Sequence, residues 1–158
     1  MNGWLKLGAL LAALAVTAGA VAAHGIEGYL EESYAGQTRE MLGRSIPAAE
    51  KYLADLKTAA QYQMYHALGL LVVGLLAERR PGKLLTLAGT CFVLGIVLFC
   101  GSLYGLAVFA HGMEEPVRHG IGLTAASGGI LFIVGWLCLA SAVCACHAGP
   151  QGTCRPAP

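Results

Sequence analysis

The stretch QYQMYHALGLL, Gln61–Leu71, decides how this chain is read. Two glutamines, two tyrosines and a histidine run without a break into an apolar segment that ends at Ala77. No charged side chain occurs from Thr58 to Ala77, 20 residues. That is about the length an α-helix needs to cross a hydrocarbon layer roughly 30 Å thick. The polar cluster therefore belongs to a membrane-spanning helix, where each such group needs a partner.

The composition agrees with that environment. Of 158 residues, 56% are hydrophobic and 12% charged, against about 25% charged in an ordinary soluble domain. A formal net charge of +1 gives no reason to expect nucleic acid or an acidic polymer as a partner. Of the six cysteines, Cys91, Cys100 and Cys138 sit inside apolar runs, where cysteine behaves as a small hydrophobe.

Outward from the opening stretch, three more runs have helix length. Leu7–Ile26 is uncharged, with Trp4 and Lys6 at its start. Its basic start and the small residues Ala20-Val21-Ala22-Ala23 also fit a cleavable signal peptide, but the run continues as one helix-length span to His24. Leu84–Ala110 is uncharged for 27 residues and Gly120–Ala145 for 26. The expected architecture is all-α: a four-helix transmembrane bundle with spans at about 5–24, 58–77, 84–109 and 120–145. These form one membrane domain, 1–146, followed by a flexible tail, 147–158, rich in proline and glycine. Glu27–Lys57 is the polar part and is expected to be a helical extracytoplasmic excursion. In it Gly28–Leu42 is weakly amphipathic or a solvated loop, and a long helix starts near Pro47, since proline is favoured in a first turn.

The turn Glu78-Arg79-Arg80-Pro81-Gly82-Lys83 is basic, and basic short loops stay on the cytoplasmic side. With four spans this puts both termini in the cytoplasm and the protein in a plasma (inner) membrane of a bacterium. Trp4 and Trp136 then fall near the inner interface, where tryptophan is favoured.

At ~1.5 Å of rise per residue, His66 lies roughly 16 Å from the inner end of its span, near the membrane middle. Gly128 and Gly129 reach a similar level on the fourth span, and a glycine pair lets a neighbouring helix come close. The His66 face of the second span is therefore expected to pack against Gly128–Gly129, with Tyr62 and Gln63 on the same face. Further out, His24, Gln61, Ser102 and Tyr104 are expected to join one intramembrane hydrogen-bonded cluster. Gly101 and Gly105 form a small-xxx-small pattern for helix packing, inside the monomer or between copies.

These polar groups admit two uses, holding helices together or binding a proton, metal or small ligand. Histidines at different depths do not suit a bis-histidine haem, and no cofactor is expected. Cys144, Cys146, His147 and Cys154 are weak metal candidates, because their spacing matches no standard zinc module. No Ser-His-Asp order, phosphate-binding glycine loop or carboxylate pair occurs within the spans. The residues thus favour a non-enzymatic structural or accessory membrane component, in contact with the lipid bilayer and associating with itself or a larger complex, with no nucleic-acid partner. The alternative is a small-molecule, ion or metal binder or transporter that uses the His/Gln/Tyr cluster.

GAVAAHGI (Gly19–Ile26), YQMYHALGLL (Tyr62–Leu71), LFCGSLYGLA (Leu98–Ala107) and SGGILFIVGW (Ser127–Trp136) resemble, in this order, the motifs of one family of small membrane proteins. It is the domain-of-unknown-function family 423, with YgdD/YwdK-like inner-membrane proteins and transmembrane protein 256-like members. The resemblance implies four helices in an inner membrane and supplies no activity. It points to His24, Gln63, His66, Ser102, Tyr104, Gly128 and Gly129 as motif positions. This chain departs from the family at Thr124–Gly129, which lacks the family's proline, in a longer first loop, and in the cysteine-bearing tail.

Overall fold

The computed structural model describes residues 3–41 and 43–147. The chain is mostly helical. Helix α1 covers Gly3–His24, α2 Glu27–Ser33 and α3 Ala48–Arg79, while α4, Lys83–Gly95, continues through a π-helical turn, Ile96–Cys100, into α5, Gly101–Phe109. A short 3-10 turn, Ala110–Gly112, then leads to α6, Glu115–His147. Among the described residues, three segments are long and apolar enough to cross a membrane: Gly3–His24, Lys83–Gly112 and Glu115–Cys144. Helix α3 falls outside that set although it is 32 residues long, because the glutamines, tyrosines and His66 that precede its apolar half lower its hydropathy.

The excursion between α1 and α3 is not wholly helical, which corrects the all-α expectation. Strands β1, Thr38–Met41, and β2, Arg44–Pro47, form an antiparallel hairpin with Thr38 opposite Pro47 and Met41 opposite Arg44. Gly43 has φ +75°, a left-handed conformation that a tight hairpin turn requires and glycine supplies without a Cβ clash. Pro47 ends β2 and stands directly before α3, where its fixed φ suits a helix entry.

Helix α3 buries Tyr52, Leu56, Ala59, Gln63, His66, Leu70 and Val73 on one side, the spacing of an apolar helix face. Two glycines set its distance from α1. A Cβ on Gly8 would lie 2.9 Å from the Ala67 carbonyl oxygen, and one on Gly74 would lie 2.7 Å from Leu5 Cγ. Small residues of this kind let two backbones approach closely. The N-terminal helix is thereby built into the bundle.

The interior has two parts. One lies among α3, α4 and α6 around Leu70, Val73, Phe92, Ile96, Cys100 and Phe132. The other joins the excursion to the ends of α3 and α5 around Leu30, Tyr34, Tyr52, Leu56, Leu106 and Ala110. Here two tyrosines close α5. The Tyr34 hydroxyl donates to the carbonyls of Leu106 and Ala107, both at 3.1 Å, and the Tyr29 hydroxyl to Val108 at 3.0 Å. These carbonyls belong to the last turn of α5, where helix carbonyls run out of backbone partners, although Leu106 also accepts from the capping Ala110 N–H. Burial raises the Tyr34 phenol above its ordinary range, with the Tyr52 phenol a further cause. On the same excursion, Asp55 pairs with Lys51. Burial nonetheless holds the Asp55 carboxyl above its usual range, and the Lys51 ammonium only partly offsets it.

Outside these interiors, large apolar side chains such as Leu14, Val97, Leu123, Ile130, Ile133 and Leu137 are about 60% exposed. Their spread over α1, the π turn and α6 is far beyond what a water-facing surface carries. It is the belt that lipid covers.

Candidate functional site

The polar residues expected to form one cluster divide into two. Gln63 is buried, and its amide bridges three helices. Its Nε2 donates to the Leu11 carbonyl of α1 at 2.9 Å, and its Oε1 accepts from the Tyr104 hydroxyl of α5 at 3.1 Å. His66, one turn on, lies on the same buried side of α3 but about 60° round it, toward α6 rather than α1. Its ring lies flat on Phe132 of α6, with centroids 3.4 Å apart and planes 10° apart, and its centroid is 5.5 Å from that of Phe92 on α4.

Three expected members stand apart from both groups. His24 is exposed at the end of α1. Gln61 points outward and donates to the Tyr65 hydroxyl at 2.6 Å. Ser102 is buried in α5, but among the described residues it has no hydrogen bond to the Gln63–Tyr104 pair. The reason is angular: at about 100° per residue, positions 61 and 65 share a side of α3 that positions 63 and 66 do not.

The glycine expectations are corrected as well. Helix α6 presents Phe132, not Gly128–Gly129, to His66. Gly128 instead receives the π turn, where a Cβ would lie 2.5 Å from the Phe99 backbone nitrogen. Gly129 leaves ordinary space, with Phe99 Cδ2 at 3.8 Å. Phe132 finds its own room at Gly95, whose Cβ would sit 2.5 Å from the ring. A Cβ on Gly101 or Gly105 would meet nothing within 4 Å among the described residues. Trp136 stands beside His66, 6.1 Å between centroids, and 5.0 Å from Phe92.

Of the weak metal candidates, only Cys144 has a described side chain. Cys144 is exposed and free, while the side chains of Cys146 and His147, and all of Cys154, lie outside the described residues. Among the described residues no group of three or more His, Cys, Asp or Glu side chains is placed to hold a metal ion.

What the structure adds is a groove. About 810 Å3 of space lies between α3 and α6, with His66 at its base and Tyr62, Phe99, Phe132 and Trp136 as aromatic walls. Leu68, Ile130 and Ile133 form its exposed apolar rim. That volume falls within the range of small-molecule sites, roughly 300–1,000 Å3.

The hydrogen-bond geometry assigns the imidazole. Nδ1 lies 2.6 Å from the Tyr62 carbonyl oxygen. A carbonyl only accepts, so Nδ1 carries a hydrogen and donates it, and in the neutral ring Nε2 then keeps a lone pair. Among the described residues Nε2 has no hydrogen-bond partner. It is also not among the fully enclosed unpartnered atoms, of which Arg118 Nε is the one found. His66 is 4% exposed and is one of the residues that line the groove.

The walls were hidden in the sequence because Phe99 and Phe132 read there as ordinary apolar residues of the spans and Trp136 as an interface residue. One signal was available: Phe132 and Trp136 are four apart in an uncharged run, and so lie on one face.

An apolar exposed belt, helices of spanning length and a buried amide bridging helices together define a small helical membrane protein. The chain belongs to the family described as "Protein of unknown function (DUF423)", whose model matches residues 18–129. It is 40% identical over 139 residues to the UPF0382 membrane protein SERP0230 of Staphylococcus epidermidis, covering 88% of this chain and 93% of that protein. It is 40% identical over 138 residues to the UPF0382 membrane protein YwdK of Bacillus subtilis, covering 87% and 92%. A UPF0382 membrane protein of Haemophilus influenzae is 34% identical over 139 residues, covering 88% and 91%. No solved structure matches the chain. The family match ends at Gly129, so Gln63, His66 and Tyr104 lie within it, while Phe132 and Trp136 lie beyond.

Proposed function

We propose that this protein is a non-enzymatic accessory component of a bacterial plasma membrane that holds a small lipid-phase molecule in the groove between α3 and α6. One observation carries the reading: a buried imidazole with a free acceptor nitrogen lies at the base of an aromatic groove whose rim is apolar and exposed. Walls of this kind and a single acceptor suit holding a molecule, whereas helix cohesion alone would leave His66 packed against protein on every side. The reading takes α3 as a fourth span between α1 and α4, giving a four-helix bundle with the excursion outside. The basic turn at Arg79, Arg80 and Lys83 supports placing both termini in the cytoplasm.

The test is purification from native membranes in mild detergent, followed by mass spectrometry of bound small molecules. The expected result is a small apolar molecule retained in stoichiometric amount and lost when Gly129→Trp fills the groove. A wild-type protein that carries only the bulk lipid mixture overturns the reading. Reporter fusions at the Glu78–Lys83 turn test the orientation.

A second reading, self-association, is favoured by Gly101 and Gly105. They are four apart on α5 with open space over both, the arrangement by which membrane helices of two copies approach.

A further inference from the structure

We propose that the groove takes a lipid-soluble phenol or hydroquinone ring, whose hydroxyl donates to His66 Nε2 while its face lies against the aromatic walls. This rests on the ligand-binding reading above and names the chemistry of the ligand.

Three observations lead to it. The first is the tautomer. With Nδ1–H committed to the Tyr62 carbonyl, the open nitrogen accepts a hydrogen bond and cannot donate one. A ligand that offers only acceptors, such as a quinone or an ester, leaves Nε2 unsatisfied, and a hydroxyl satisfies it. The second is depth. His66 stands 11 residues before Ala77 on α3, roughly 16 Å of helix. Phospholipid headgroups stay at the interface, so the donor must sit on a molecule whose body is itself apolar. The third is shape. Tyr62 and Phe99 have ring centroids 5.0 Å apart, and Phe99 and Phe132 5.7 Å. These rings present faces and edges at the spacings aromatic groups prefer. Leu68, Ile130 and Ile133 on the rim would carry any hydrocarbon tail out to the lipid.

The ring of Tyr62 takes part twice. Its carbonyl fixes the imidazole tautomer, and its side chain, 40% exposed, covers one end of the groove with its centroid 6.0 Å from that of His66. The Tyr65 hydroxyl, which also lines the groove, accepts from Gln61 and keeps its own hydrogen free for a second ligand oxygen.

The experiment uses the full chain in lipid nanodiscs under anaerobic conditions without added reductant, so that each probe keeps its own oxidation state. The probes are trimethylhydroquinone, its dimethyl ether and the corresponding quinone, with affinities referred to the lipid phase. Binding is followed by Trp136 fluorescence in a Trp4→Phe background, and the Nε2 resonance is followed by 15N NMR of histidine-labelled protein. The expected result is that the hydroquinone binds about three- to tenfold tighter than the ether or the quinone, as one neutral hydrogen bond allows. It should also shift the His66 Nε2 signal. His66→Phe, which keeps the stack on Phe132 but removes the acceptor, should abolish the preference and leave the ether's affinity in place.

Equal binding of all three probes to the wild type overturns the hydroxyl assignment while the groove remains a binding site. A preference that survives in His66→Phe overturns it too. If none of the probes changes Trp136 fluorescence or the histidine spectrum, the ligand-binding reading itself falls.

Discussion

Gly128 and Gly129 are chain neighbours with opposite roles, and replacing each by alanine should separate them sharply. At Gly128 the new methyl group would meet backbone atoms: the Phe99 nitrogen at 2.5 Å and its Cα at 3.0 Å, with Cβ at 2.9 Å. Backbone cannot swing aside as a side-chain tip can, so α6 and the π turn must part by about 1 Å, an overpacking strain of ~1–3 kcal/mol. At Gly129 the nearest atom is Phe99 Cδ2 at 3.8 Å, an ordinary contact. There the helix gains ~0.5–1 kcal/mol from the lost freedom of glycine. The same gain applies at Gly128 but is smaller than the strain. Gly128→Ala should therefore be less stable than Gly129→Ala by about 1–3 kcal/mol. Equilibrium unfolding in mixed micelles, followed by circular dichroism, measures this, with Trp136 fluorescence reporting the α6 environment. Equal stability of the two variants would refute the placement of Gly128 against the π turn.

Three further expectations follow from the same geometry. A double-mutant cycle of Gln63→Met and Tyr104→Phe should give a coupling of about 0.6 kcal/mol, up to ~1.7; a value near zero would remove the bond between α3 and α5. Asp55 has a folded-state pKa raised by burial, so the folded chain holds its proton to higher pH than the unfolded chain. Stability should fall as pH rises from the ordinary carboxylate value through the raised one, then level off, and Asp55→Asn should flatten that part of the pH profile. A profile identical in the variant would count against it. Gly101→Ala and Gly105→Ala, which face open space, should leave the monomer within about 0.5 kcal/mol or slightly more stable. Sedimentation in detergent should show weaker self-association if those glycines join two copies, and a large loss of monomer stability would contradict their open position.

Much of the helical layout was legible because long uncharged runs leave little choice in a membrane. The starts and stops at Pro47, Pro81 and Gly82 punctuate them in the way glycine and proline do. That Gln63, His66 and Tyr104 need partners was also legible, since polar groups at such depth do. Which partners they take was not. A difference of three residues sends Gln63 toward α1 and His66 toward α6, and only the relative rotation of packed helices decides that. The hairpin was missed because β1 and β2 are four residues each and carry charged side chains, so alternation is too short to stand out. The role of Gly128 depends on a local widening of the preceding helix that no residue pattern announces.

That widening is the π turn at Ile96–Cys100, where the Gly101 N–H reaches back to the Ile96 carbonyl, five residues away. One surplus residue in a helix turns everything beyond it by about 100°. Removing a single residue there would wind the span evenly and swing Tyr104 away from Gln63. The turn thus sets the rotational phase of the outer half of the span independently of the inner half. When related chains are compared letter by letter, a one-residue gap belongs inside 96–100. Drawn anywhere else in this helix, it would match groove walls to lipid-facing positions and make a shared architecture look like divergence.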